Sequence, residues 1–71
     1  MDKIYKKVEV VGVSDQSFSH AVQSALKRAS LTLKNISWFE VTEMRGAVNA
    51  GEITQYQVTV KLGFRVDSDE M

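Results

Sequence analysis

The sequence predicts an α+β fold in the order β-α-β-β, with one amphipathic helix laid on a three-stranded sheet. Three observations carry this. Across residues 54–64 the even positions Tyr56, Val58, Val60, Leu62 and Phe64 are apolar, while Gln55, Gln57, Thr59 and Lys61 are polar. Side chains alternate faces along a strand, so this segment has one core face and one polar face. Between residues 18 and 33 the apolar residues Phe18, Ala21, Val22, Ala25, Leu26, Ala29 and Leu33 recur at three- and four-residue spacing, the stripe of a helix. Finally, Asn49-Ala50-Gly51 is turn chemistry between two strand-like runs, which makes the last two strands an antiparallel hairpin.

Each element has its own signal. Residues 5–13 are rich in valine, with Val8 and Val10 on one face of a first strand and Val11 and Val13 on the other. Ser14-Asp15-Gln16-Ser17 offers hydroxyl and carboxylate acceptors for the unpaired N–H groups of a first helical turn. The polar face of the helix carries Ser19, Gln23, Lys27 and Lys34, and the late cations Lys27, Arg28 and Lys34 suit the negative end of the helix dipole. Three alanines on the apolar stripe let the helix lie close to the sheet. Asn35 tolerates a left-handed backbone and is expected to end the helix. A second strand is expected over 37–48, and the acidic tail, 67–71, is expected to fray.

Bulk composition narrows the function. The chain has 71 residues and reads as a single domain over 1–71, near the low end of what folds alone. Nine basic residues balance nine acidic ones, so no net field draws the chain to nucleic acid or to an anionic membrane. Without cysteine, neither a disulfide nor a thiolate metal site can brace it, and domains this small commonly gain stability by oligomerising. No apolar run approaches the roughly 18 residues of a membrane span, and the N-terminus lacks a signal-peptide core, so the expected location is the cytoplasm.

Catalytic constellations are absent from the sequence. His20, the single histidine, has no acidic residue three or four positions away to orient it and reads as a solvent-side helix residue. Ser17 and Ser19 lie near it, but a serine nucleophile needs a base held by a third group. The four glycines, Gly12, Gly46, Gly51 and Gly63, form no phosphate-cradling loop. Glu40 and Glu43 have opposite strand parity, and no cluster of ligands for a metal is present. The expectation is a protein that is not an enzyme.

Binding chemistry is better represented. Trp38 is the only tryptophan, and Phe39 and Val41 share the parity of the core, which leaves Trp38 on the polar face with Glu40 and Thr42. A single helix can cover only one face of the sheet, so a second subunit is the expected cover for that ring. Indole offers a flat face for stacking, worth about 0.5–1.5 kcal/mol beyond burial. Gln57 shares the polar face, and its amide offers donors and an acceptor to a heterocycle edge. Arg45 and Arg65 can hold a phosphate through a fork of N–H donors. Strict alternation from Trp38 puts Arg45 on the helix face. Either a bulge between Thr42 and Gly46 corrects this, or Arg45 reaches a ligand bound by a neighbouring chain. No second aromatic is expected on the Trp38 face, which together with neutral charge argues against single-stranded nucleic acid. A site for another nucleotide, such as coenzyme A, is the alternative.

At this point the chain resembles the dodecin family of small flavin-binding proteins. The resemblance runs through Tyr5-Lys6-Lys7-Val8-Glu9-Val10-Val11-Gly12, Ser14 and the alanine-rich helix. It continues through Trp38-Phe39-Glu40-Val41, Arg45-Gly46, Tyr56-Gln57-Val58 and Gly63-Phe64-Arg65. It implies a three-stranded antiparallel sheet partly wrapping one helix, and a hollow homododecamer that stores flavin and protects it from light. It implies flavin bound at two-fold axes between tryptophans of two subunits, with Trp38 stacking and Gln57 bonding the polar ring edge. Arg45 matches a position that meets the FMN phosphate, and Arg65 a supporting one. The basic Arg45 is similar to the bacterial, FMN-type branch; riboflavin is the other expected flavin, and some bacterial relatives also hold coenzyme A near three-fold axes.

Overall fold

The hairpin anticipated at Asn49-Ala50-Gly51 is the backbone of the molecule. In the computed structural model, which describes residues 3–66, the elements are β1 (Ile4–Ser14), α1 (Phe18–Ala29), β2 (Ile36–Asn49) and β3 (Glu52–Val66). The predicted β-α-β-β order is therefore observed. Ala50 and Gly51 both have positive φ, 51° and 80°, as a tight two-residue hairpin turn requires. The turn sets β2 beside β3, and β1 returns from the far side of the helix to pair with the other edge of β3. The sheet order is β1-β3-β2, antiparallel throughout. The acidic tail lies outside the described residues.

β3 has the clearest alternation in the sequence, and it takes the central place. Its inner residues Val58, Val60 and Leu62, together with Ala21 of α1, are fully buried and form the core. Val8, Val10, Phe18, Val22, Ala25, Leu26, Leu33 and Ile36 pack around them. Gly12 supports this closeness: a Cβ built there would meet the Ala21 carbonyl oxygen at 2.2 Å. The helix backbone thus rests on the β1 backbone.

The helix begins as its sequence indicates. The Ser17 hydroxyl accepts the His20 N–H at 3.0 Å, and Ser14 Oγ accepts the Gln16 N–H at 2.9 Å. The end differs from expectation. The helix stops at Ala29, with Ser30 as its cap, and Asn35 instead turns the chain into β2 with the left-handed φ of 64°. Turns at Leu31 and Thr32 bring Leu33 back onto the core, its N–H bonded to the Ala29 carbonyl at 2.9 Å. Leu33 therefore keeps the spacing of the stripe without belonging to the helix.

α1 packs mainly on β1 and β3. The inner face of β2 is left part-open, and Phe39 and Met44 stay 49% and 56% exposed. An apolar groove of about 380 Å³ runs between α1 and β2, lined by Phe18, Val22, Leu26, Phe39, Val41 and Met44 among others. The chain measures 55 × 20 × 16 Å, with a radius of gyration of 14.7 Å; a compact chain of this length has about 11 Å. Among the described residues no helix is long and apolar enough to cross a membrane.

Candidate functional site

The outer face of the sheet, away from α1, is a ladder of cross-strand rows. Lys7, Gly63 and Trp38 form one row, and Glu9, Lys61 and Glu40 the next. Val11, Thr59 and Glu43 follow, then Val13, Gln57 and Arg45. Trp38 is therefore on the face the sequence indicates, turned away from its own helix, with 36% of its surface exposed.

Arg45 also lies on this face, directly opposite Gln57. The register slips by one residue between Val41 and Glu43, so Thr42 is extra and the parity of everything after it reverses. The bulge expected as one route for Arg45 is observed. A similar slip between Ile36 and Trp38 explains how Ile36 packs on the core while Trp38 points out.

The rows also separate the four candidate residues into two groups. Trp38 is level with Gly63, and Arg65 lies two residues further along the same strand. Gln57 and Arg45 are six residues away along β3 from Gly63, which is about 20 Å at the rise of an extended strand. A single isoalloxazine ring, roughly 10 Å long on standard covalent geometry, does not span that gap within one chain.

The surroundings of Trp38 are closely built. A Cβ added to Gly63 would lie 2.2 Å from Cε2 and Cζ2 and 2.5 Å from Cδ2 of the indole. Three ring atoms at nearly one distance mean that the ring lies face-down on the β3 backbone. Tyr5 stands beside it, the ring centroids 5.3 Å apart and the planes tilted by 57°. Tyr5 is a second aromatic at this face, contrary to the sequence reading; its parity matches Val11 and Val13, but its cross-strand level needed the register. Trp38 Nε1–H donates to Glu40 Oε2 at 2.8 Å, and Lys7 Nζ donates to the same oxygen at 2.7 Å. These two hydrogen bonds, from Lys7 first and then Trp38, hold the Glu40 carboxyl below its ordinary range. At the other end Gln57 Nε2–H donates to Gln55 Oε1 at 2.7 Å.

His20 is exposed, as expected, and its Nδ1 meets Ser14 Oγ at 2.8 Å, a partner the sequence reading did not consider. Ser14 is buried, and its hydroxyl accepts from the Gln16 N–H as well as pairing with the imidazole. The pair ties the end of β1 to the first turn of α1.

Comparison with known proteins agrees with this architecture. The family model for dodecin matches residues 4–67. The curated dodecin of Thermus thermophilus is 46% identical over 67 residues, covering 94% of this chain and 97% of its own. The solved dodecin of Streptomyces coelicolor superposes with a TM-score of 0.90 at 43% identity, covering 94% of this chain and 96% of its own. Crystal structures of R45A and W38F variants of the Thermus thermophilus dodecin superpose at 0.90 and 0.89, each 43% identical and covering 94% of this chain and 100% of the variant. An R65A variant matches at 0.90 and 43%, covering 94% and 98%. A family match over nearly the whole length, on the same fold, makes the chain a member of the dodecin family.

Proposed function

We propose that this protein is a flavin store and buffer that takes up FMN or riboflavin between Trp38 side chains of two subunits in a hollow homododecamer. The observation that carries the reading is the indole itself: one face rests on the Gly63 backbone, while the residue as a whole stays partly exposed. An aromatic ring bedded in this way is a stacking platform for a planar ligand. Two-fold symmetry presents the same patch twice, so one tryptophan per chain closes both ends of a stack.

The separation of Trp38 from Gln57 supports a site shared between chains. Each flavin then meets Trp38, with Arg65 nearby, from one subunit, and Gln57 and Arg45 from its mate. Gln57 bonds the polar edge of the ring and Arg45 holds the FMN phosphate. Trp38, Arg45 and Arg65 have the residue types and numbers of the positions replaced in the Thermus variants. The apolar groove beside α1 and the elongated outline support assembly, because a lone chain would leave Phe39, Val41 and Met44 in water. Stacking on an electron-rich indole quenches excited flavin by electron transfer and leaves no room for a substrate beside the ring, which suits storage and photoprotection in the cytoplasm.

The test is a titration of FMN with protein freed of ligand, read by flavin fluorescence, alongside a sizing column monitored in the visible. The expected result is quenching, and a yellow particle of twelve chains. Trp38→Ala weakens binding about a hundredfold, the combined loss of stacking and burial; unchanged affinity in that variant would remove the reading. A chain that ignores flavin but binds coenzyme A favours the other nucleotide reading, to which Tyr5 beside Trp38 lends a second aromatic surface.

A further inference from the structure

Trp38 is held at three points, and only two of them are packing contacts. The Gly63 backbone lies beneath the ring and Tyr5 stands at its side. A flat bed fixes the height of a ring but lets it slide and turn in its own plane, and one neighbour blocks only one direction of travel. The third point is directional. Trp38 Nε1–H donates to Glu40 Oε2 at 2.8 Å, and such bonds weaken steeply once bent.

Glu40 is itself braced. Lys7 Nζ reaches the same oxygen at 2.7 Å from β1, on the far side of the central strand. The row Lys7–Gly63–Trp38 explains how: Gly63 has no side chain to stand between β1 and β2, so the indole lies over it and both the indole N–H and the Lys7 ammonium reach Glu40 Oε2. Residues 38 and 40 are two apart on one strand and share a face, within reach of a glutamate side chain. The indole and the carboxylate are thus brought together by neighbouring sequence, and Lys7 by the sheet register.

We infer that Glu40, braced by Lys7, is a positioning residue that fixes the orientation of the Trp38 ring for stacking against a planar ligand. The inference rests on the reading of Trp38 as the flavin-stacking residue. A ring already fixed gives up little rotational freedom when a ligand arrives, whereas a loose ring gives up more, and this lowers affinity.

The probe is riboflavin, which lacks a phosphate, so removing the charge of Glu40 leaves no phosphate interaction altered. Glu40→Ala is expected to weaken riboflavin binding about three- to tenfold, the scale of one immobilised side chain. It also diminishes the indole fine structure in the near-UV circular dichroism of ligand-free protein. Glu40→Gln, whose amide oxygen still accepts the indole N–H, restores most of both signals. In a Trp38→Phe background, which keeps an aromatic face without the N–H, adding Glu40→Ala changes affinity less than about twofold. Equal losses in the two backgrounds would show that Glu40 acts otherwise, and an unchanged indole spectrum in Glu40→Ala would overturn the inference directly. Far-UV circular dichroism confirms that each variant is folded, and Lys7→Met provides an independent variant expected to lose part of the indole signal. Should the unaltered protein not bind riboflavin, the flavin reading falls, while the spectrum of ligand-free protein still decides whether Glu40 orients the ring.

Discussion

The two faces of the sheet each use a glycine to admit something large, but what is admitted differs. On the inner face Gly12 lets the backbone of α1 at Ala21 approach the backbone of β1, and the Ala25 side chain closes the same gap. On the outer face Gly63 lets a side chain, the indole of Trp38, lie on the backbone of β3. The inner contact joins two rigid elements and has nowhere to relax. The outer one ends on a side chain with torsions of its own and solvent above it. The same atom added on either face should therefore be felt as stability on one side and as binding on the other.

The largest effect is expected at Gly12→Ala. The new methyl would sit 2.2 Å from the Ala21 carbonyl oxygen and 3.0 Å from Ala25 Cβ, so the helix must lift from the sheet. Overpacking of this kind costs about 1–3 kcal/mol, and a backbone partner places it at about 3 kcal/mol. The loss should appear as a lower midpoint in urea denaturation followed by far-UV circular dichroism. An unchanged midpoint would mean that α1 is not seated on β1 as described.

Gly63→Ala comes next and separates the faces. Its methyl would overlap Cε2 and Cζ2 of Trp38, and the ring, partly exposed, can move aside. Gly63 is buried under the indole, but the group that must give way is a side chain and not backbone, so the expected change in stability is about 1 kcal/mol, the low end for overpacking. Flavin affinity falls about tenfold, because the stacking surface is no longer where the pocket needs it. If Gly63→Ala unfolded the protein as readily as Gly12→Ala, the distinction between the faces would be lost.

Much of this contrast is legible in the sequence. Alternation in β3 separated inner from outer residues, and the helix stripe identified what covers the inner ones. Where reading failed, the cause was local and physical. Asn35 does take a left-handed backbone, but at the entry to β2; the helix had already ended where Ser30 and Thr32 turn their hydroxyls back onto its last carbonyls. Strict alternation misplaces Arg45, and the bulge that is one of the two routes to correct it is present at Thr42; periodicity alone does not choose between the routes, because a bulge leaves no signature in it. Glu40 shares the Trp38 face by parity alone, but Tyr5, Lys7 and Gly63 gather around the pair only once three strands are in register, and that register depends on contacts distant in sequence. The open inner face of β2 was also missed, because a periodic stripe tells which side of a helix is apolar and not how many strands it can cover.

The smallest expected effect concerns the charge that steadies the indole. Glu40 is faced by Lys7 from β1 and Lys61 from β3, with Trp38 on its own strand, and its carboxyl is held below the ordinary carboxylate range. A group whose folded pKa is depressed contributes fully above its unfolded pKa, and the contribution fades as pH falls through the folded value. The indole signal in near-UV circular dichroism should therefore hold from neutral pH down through the ordinary glutamate pKa of about 4.3, and below it change only in part, because a protonated carboxyl keeps an oxygen that accepts the indole N–H. Lys7→Met removes the first of the two stabilising donors, so the same change should begin at higher pH, closer to that ordinary value. Global unfolding should barely respond near neutral pH, because solvent-screened pairs add little to stability. Coincident acid transitions in the two proteins would break the link between Lys7 and the ring, and would leave the indole oriented by its glycine bed and Tyr5 alone.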